Sequence, residues 1–390
     1  MLTKYDDYLC HQIYDGFDTV FTTERNWSEH IFASFYDYGS KLHVGFRFGK
    51  YPNRNVMDAG VAVAMGAKQI TVRASRELWP NVDIEKVGPI EYHVVEPLKK
   101  VRIVLGDNDY GASFDVELES SVFPKAEPGG HTVIKGVTFN RENRVYVTIR
   151  ATGKVTLKGK TYDIKKDTAY GLRDHTWGLR GYTGVPPEGN PLWRKGQANP
   201  ESGMMPISMP DGVLGCLIML QTKDYSIFYT HVEDPDVKTQ ESAKVAGARG
   251  YLLYPLGDPR PPVMLVDSHF DWELFPGTRV LKQFKGELIQ EDGKRIQISS
   301  KYKGSRFSLD AQGYHGGYKG WWIGKWHGPY AIDGEELDLA DEGTLRKVGS
   351  LMDVALEFNV DGKLGYGSIE GSAFGRLPKY GLEASDIPWE

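Results

Sequence analysis

Three two-residue turns set between alternating runs constrain this chain more than any other feature. Met352 to Val360 and Leu364 to Ile369 flank Asp361-Gly362, Gly286 to Gln290 and Arg295 to Tyr302 flank Asp292-Gly293, and Lys154 to Leu157 and Thr161 to Ile164 flank Gly159-Lys160. Tight hairpin turns favour positive φ at their central positions, which Asp and Gly tolerate, so these segments are committed to antiparallel pairs. Arg144 to Arg150 (RVYVTIR) also alternates, and a turn is expected at Ala151-Thr152-Gly153 before Lys154. Further strands are expected over Ile31 to Tyr36, Leu42 to Phe48, Val61 to Met65, Ile70 to Ala74, Tyr92 to Val95 and Val101 to Gly106. Helical spacing is confined to residues 3–16 and 236–247, where aromatic or β-branched residues and Gly weaken it. The expected class is all-β.

A chain of 390 residues is too long for one ordinary core, since domains usually run to about 100–200 residues. The Pro/Gly-rich stretch from Gly184 to Gly212 divides it nearly in half, so domains over 1–190 and 191–390 are expected. Pro255 to Pro262 reads as a loop within the second. The stretch from Gly313 to Ala340 reads as irregular, carries many aromatics and is placed to wrap over a barrel mouth.

The formal net charge of −5 argues against a general nucleic-acid binder, which would show a basic stripe. No run of about 18 apolar residues is present, so no membrane span is expected. Met1 to Gln12 carries Asp6 and Asp7 and lacks the apolar core of a signal peptide. Cys10 and Cys216 are too few for a disulfide framework, which fits a reducing, cytoplasmic setting. The phosphate-binding loop, the Gly-x-Ser-x-Gly elbow and a dinucleotide fingerprint before a helix are all absent, so no cofactor is expected.

Chemistry concentrates in Ala169 to Tyr182, AYGLRDHTWGLRGY. On a strand, Asp174 and His175 point to opposite faces. An Asp facing an apolar recess is raised by desolvation and can hold a proton for delivery to an alkene or a leaving hydroxyl. Trp177 would line that recess and favour a cation through its π face. Arg173 or Arg180 would instead pair with Asp174 and hold it ionised. The alternative is a structural corner in which Asp174 and His175 bond the backbone and Trp177 plugs a barrel end. Elsewhere Tyr229, His231 and Glu233 share a strand face, as do Tyr366, Ser368 and Glu370, with Glu370 a candidate second acid or base. Trp27 and Glu29 also alternate, and the plainer reading of Glu29 is a salt bridge. Tyr314, Tyr318, Trp321, Trp322, Trp326 and Tyr330 form an aromatic cluster that either caps a ligand cavity, with Trp322 against the substrate, or fills the second core. His315 and His327 lack accompanying Cys or close His-x-His spacing, so no metal is expected.

The segment Gly171 to Gly178, GLRDHTWG, resembles the Asp-His-x-Trp-Gly signature of the lipocalin-like superfamily that includes hydroxyneurosporene synthase (carotenoid 1,2-hydratase) and AttH-type proteins. Tocopherol cyclase-like proteins and fungal Diels–Alderases belong to the same broad group. Trp27-x-Glu29, Tyr51-Pro52-Asn53-Arg54, Gly88-Pro89-Ile90-x-Tyr92 and Val95-Glu96-Pro97-Leu98 resemble an uncharacterised bacterial branch. The resemblance covers most of the first half and thins in the second. It implies two lipocalin-like β-barrel or sandwich domains packed together, acting on hydrophobic molecules without metal or redox cofactor. The expected function is acid-catalysed hydration, dehydration, isomerisation or cyclisation of an isoprenoid-like or polycyclic substrate. Asp174 would be the acid and His175 its assistant, with Trp177, Arg180, Tyr229, Glu233, Trp322 and Glu370 around the substrate. The alternatives are a non-catalytic carrier of a hydrophobic small molecule and a sugar-processing or sugar-binding β protein. A homodimer is allowed as the assembly.

Overall fold

The computed structural model describes residues 7–9, 19–127, 130–134, 137–180, 213–233, 250–314, 317–349 and 351–383. The expected helices at 236–247 and at most of 3–16, and the crossing at 184–212, lie outside these residues.

The chain is nearly all β, in two units built from antiparallel strands. The first is a curled fourteen-stranded sheet. Its spine runs through the strands Lys68–Glu77, Val56–Met65, Leu42–Tyr51, Trp27–Asp37, Ala169–Arg180, Val137–Leu157 and Ala112–Ser120. The second is a closed eight-stranded barrel that begins at Val213–Thr222 and closes when Lys363–Phe374 pairs back onto it. Closure removes the exposed strand edges that an open sheet must protect.

The turns at Asp292-Gly293 and Asp361-Gly362 form as expected, joining Leu281–Gln290 to Arg295–Ser308 and Met352–Val360 to Lys363–Phe374, while the turn expected at Gly159-Lys160 forms one residue earlier, at Lys158-Gly159, between Val137–Leu157 and Lys160–Ile164. The expected turn at Ala151-Thr152-Gly153 does not form: one strand continues from Val137 to Leu157. Gly153 serves close strand approach instead, since a Cβ there would stand 2.2 Å from the Asp115 carbonyl oxygen. The stretch from Gly313 to Ala340 is only partly irregular. Its end, Tyr330–Asp338, is a strand paired along Lys68–Glu77, so a segment of the second half completes the first sheet. The helix Glu342–Val348 had no counterpart in the hydrophobic pattern, and is opened by Asp341, whose side chain accepts the Thr344 backbone N–H at 2.7 Å.

The first sheet is covered on both faces, which decides where its polar side chains go. All residues of Trp27–Asp37 and Leu42–Tyr51 are buried. One face, with Ile31, Ala33, Phe35, Phe46 and Phe48, forms the interior of the first unit. The other, with Phe32, Leu172 and Tyr146, packs on Met219, Phe228 and Phe307 from the outer wall of the barrel. Polar contacts cross the same seam. Ser34 Oγ donates to Asp353 Oδ2 (2.8 Å), Tyr38 OH to the Leu356 carbonyl (2.5 Å), and the Thr148 and Ser226 hydroxyls are 2.8 Å apart.

Candidate active site

The strand Ala169–Arg180 lies between Trp27–Asp37 and Val137–Leu157, with Asp174 opposite Phe32 and Tyr146. Strand alternation then sorts its side chains. Leu172, Asp174, Thr176 and Arg180 share the face toward the barrel. Arg173, His175 and Trp177 share the face toward the interior of the first unit.

His175 therefore does not stand with Asp174. Its Nε2 is 2.9 Å from Glu29 Oε1, both side chains are buried, and Trp177 packs beside it with ring centroids 5.2 Å apart. The salt bridge expected for Glu29 is thus made to His175, and Trp177 lines the His175 side of the sheet, not the Asp174 side. Arg173 also turns away and pairs with Asp7. Of the two arginines that might hold Asp174 ionised, Arg180 shares its face, joined by Arg144 from the neighbouring strand.

The seam around Asp174 is a charged and aromatic cluster. Arg144 Nε donates to Thr176 Oγ1 (3.0 Å) and Nη1 to the Tyr146 hydroxyl. Arg180 Nε pairs with Glu142 Oε2 (2.9 Å), and its Nη1 meets His30 Nε2. Tyr146 stacks on Phe228 of the barrel with centroids 4.0 Å apart, and Tyr314 stacks on Phe32 at 5.6 Å. Among the described residues Asp174 Oδ1 is buried without a hydrogen-bond partner, while the backbone of Phe32 acts on the carboxyl as a donor. An orphaned buried acceptor costs about 1–3 kcal/mol, so its persistence calls for an explanation other than stability.

Glu370 enters the cluster from the barrel. It pairs in register with Leu217 and Asp353 on the outer wall, the face applied to the first unit. Lost hydration is the largest influence on its carboxyl, the charges of Asp174 and Asp353 add to it, and together they push the carboxyl up to about 8 against the pull of Arg144 and Arg180. The side chain nevertheless keeps accessible area. Burial also raises Asp174, opposed by Arg144, Arg180 and His175. Lost hydration thus favours the protonated form of both carboxyls, and at Glu370 the charge of Asp174 adds to it. Glu127 is raised by burial as well, with Arg144, Glu142 and Asp174 acting on it.

Tyr229 and Glu233 do not reach this cluster. Tyr229 pairs with Ile218 and points into the barrel interior, where its ring meets Phe270. Glu233 lies on the same inner face, 3.4 Å from His231 and accepting from the Tyr380 hydroxyl at 2.8 Å. Trp322 sits at another corner, with the Arg54 and Lys325 cations 5.9 and 5.8 Å from its ring. The aromatic stretch contributes Tyr314 to the seam instead. Arg144, Tyr146, His30 and Glu127 were not singled out for the site from sequence. The signal for two of them was present, because Arg144, Tyr146 and Thr148 are the polar positions of an alternating strand whose other face is Val145, Val147 and Ile149. Among the described residues no group of three or more His, Cys, Asp or Glu side chains is placed to hold a metal ion. His315 lies outside them. His327 stacks on Trp321 at 3.9 Å, and burial lowers its pKa to about 4. No helix among the described residues is long and apolar enough to cross a membrane.

Comparison with known proteins places this geometry in a family. The chain belongs to a family of unknown function (DUF8625), whose sequence profile matches residues 2–383. No curated protein matches it in sequence. Among solved structures it is similar to an AttH-like protein from Nitrosomonas europaea, at 10% identity and a TM-score of 0.48, covering 89% of this chain and 92% of that one. It is also similar to kievitone hydratase from Nectria haematococca, at 11% identity, a TM-score of 0.40 and 88% of each chain. A third is CghA with Sch210972, at 10% identity and a TM-score of 0.42, over 90% of this chain and 88% of that one. At such scores and identities the likeness carries no information on activity.

Proposed function

We propose that this member of the family is a cofactor-independent lyase or isomerase that moves a proton onto and off an apolar substrate in the seam between its two units. One observation carries the proposal: a carboxyl from each unit faces the same charged seam, and lost hydration raises both, Glu370 to about 8. Glu370 is the acid and Asp174 its ionised neighbour. This departs from the expectation that Asp174 is the donor: Arg144 and Arg180 pull on both carboxyls, but Glu370 is also raised by the charges of Asp174 and Asp353.

In a hydration, Glu370 delivers its proton to an alkene carbon, forming a C–H bond and leaving a tertiary cation. The rings of Tyr146 and Tyr314 offer π faces to that cation. Water adds to it, and the proton released goes to the Asp174 carboxylate or back to Glu370. Dehydration is the reverse. Isomerisation follows when the cation loses a different proton. Phe32, Leu172, Met219 and Phe228 supply the apolar wall that suits a substrate without charge.

The test is carbon–deuterium bond formation. The protein is incubated in D₂O with a panel of apolar alkenes and tertiary alcohols, and new C–D bonds are read by mass spectrometry. Incorporation is expected with the wild type. It should fall by about 10²-fold or more in Glu370→Gln, the usual contribution of a general acid. Undiminished incorporation in that variant would remove the acid assignment. Saturable binding of panel members with no C–D bond formed would favour a carrier.

A further inference from the structure

The face of the strand Ala169–Arg180 turned away from Asp174 carries a second arrangement that the proton-transfer proposal does not use. Arg173 is buried in the interior of the first unit. Its Nη1 donates to Asp7 Oδ1, and the backbone N–H of Leu98 donates to Asp7 Oδ2 at 2.7 Å. Two residues on, Leu9 packs into the same apolar core as Phe46, Phe48 and Ile103. Tyr8 between them is 39% exposed, so the segment alternates carboxylate in, ring out, aliphatic chain in. Lys50 Nζ lies 3.5 Å from the Leu9 carbonyl.

The donors around Asp7 outnumber those it uses. Arg173 Nε and the Tyr92 hydroxyl are both buried beside this pair, where Arg173 and Tyr92 act on each other, and neither of these two groups is given to Asp7. A carboxylate oriented toward the edge of the guanidinium would take two of its N–H groups in the usual bidentate fork, with the Leu98 N–H and the Tyr92 O–H beside it. Asp7, tethered through its own backbone, takes only one N–H from Arg173. We infer that the interior of the first unit holds a binding site for a carboxylic acid with an apolar tail, whose place is taken by the Asp7 carboxylate and the Leu9 side chain of the chain itself. The ligand's head would replace Asp7 on Arg173, Leu98 and Tyr92. Its tail would follow the volume that Leu9 vacates.

The test uses the full chain as wild type, Asp7→Ala and Asp7→Asn. Thermal unfolding is followed with acetate, octanoate and 1-octanol as probes. Asp7→Ala leaves Arg173 unpaired and should melt below the wild type. Octanoate should raise its melting temperature in a saturable way, with an apparent affinity at least tenfold above that for the wild type and for acetate, while 1-octanol should not. Asp7→Asn keeps the side-chain shape and should show the same order of probes if the alanine variant fails to fold. Equal stabilisation of wild type and variants by octanoate would overturn the inference. So would rescue by acetate as strong as by octanoate, or no rescue in either variant.

Discussion

Glu370 carries the most consequence of any single residue here. It binds its proton more tightly in the folded chain than unfolded, since its carboxyl moves from 4.5 to about 8. Between those values the folded state holds more protons than the unfolded one, so stability falls as pH rises across that window and is lowest above it. A displacement of that size corresponds to roughly 4–5 kcal/mol at about 1.4 kcal/mol per pKa unit. Glu370→Gln keeps the shape and removes the charge. Denaturant melts should therefore find it more stable than the wild type above pH 8 and equal to it near pH 4, with a flatter profile between. A residue whose removal stabilises the fold while abolishing turnover is held for chemistry. A Glu370→Gln profile parallel to the wild type's would mean the carboxyl is solvated. Asp174→Asn tests the coupling: with one like charge gone, the Glu370 midpoint should drop below 8, yet stay above 4.5, because lost hydration is the larger cause.

The loop that delivers Tyr314 shows the same logic at the level of an element. Arg47 and Arg73 flank Gly60 in adjacent strands, and a Cβ on Gly60 would stand 2.2 Å from the Gln312 carbonyl. Into that space the loop lowers its backbone, where Arg47 Nε donates to the Gln312 carbonyl (2.7 Å) and Arg73 Nη1 to that of Ala311 (3.1 Å). Arg47 also pairs with buried Asp58 at 2.6 Å. Arg47→Met should destabilise the protein by about 3–5 kcal/mol, because it strands the Asp58 charge. Adding Asp58→Asn should recover part of that loss in a double-mutant cycle; additive effects would deny the coupling. This element also marks where sequence reading stopped. Hairpin turns and alternating strands are written in local residue patterns, so Asp361-Gly362 and its like were legible. Gly153 looked like a turn because a glycine needed for close strand contact cannot be told locally from one that reverses the chain. The pairing of Tyr330–Asp338 with Lys68–Glu77 spans some 260 residues and leaves no local trace. Glu370 and Asp174 were both singled out, but their meeting depended on how two units dock. Tyr229 and Glu233 had the same alternating signature and proved to face the other side of the barrel wall.

For the whole molecule, the seam is both the proposed site and the joint. Its centre is apolar, its edges are tied by Ser34, Tyr38, Thr148 and Gln221, and a strand from the second half completes the first sheet. Units joined in this way should unfold together. Calorimetry at pH 6 should give one transition with equal calorimetric and van't Hoff enthalpies, whereas two resolved peaks would show that the units are independent. The same docking explains how a chain can keep partly charged groups buried. The barrel wall strips water from Asp174 and the sheet strips it from Glu370, so both carboxyls would be less perturbed in an isolated half, where Glu370 would still feel Asp353. The deciding measurement is therefore the protonation of Glu370 in the intact chain. Carboxyl ¹³C NMR of glutamate-labelled protein, with the Glu370→Gln spectrum used for assignment, should show one resonance titrating near pH 8. A Glu370 midpoint between 4 and 5 would contradict a proton held at neutral pH, and with it the acid role in the seam.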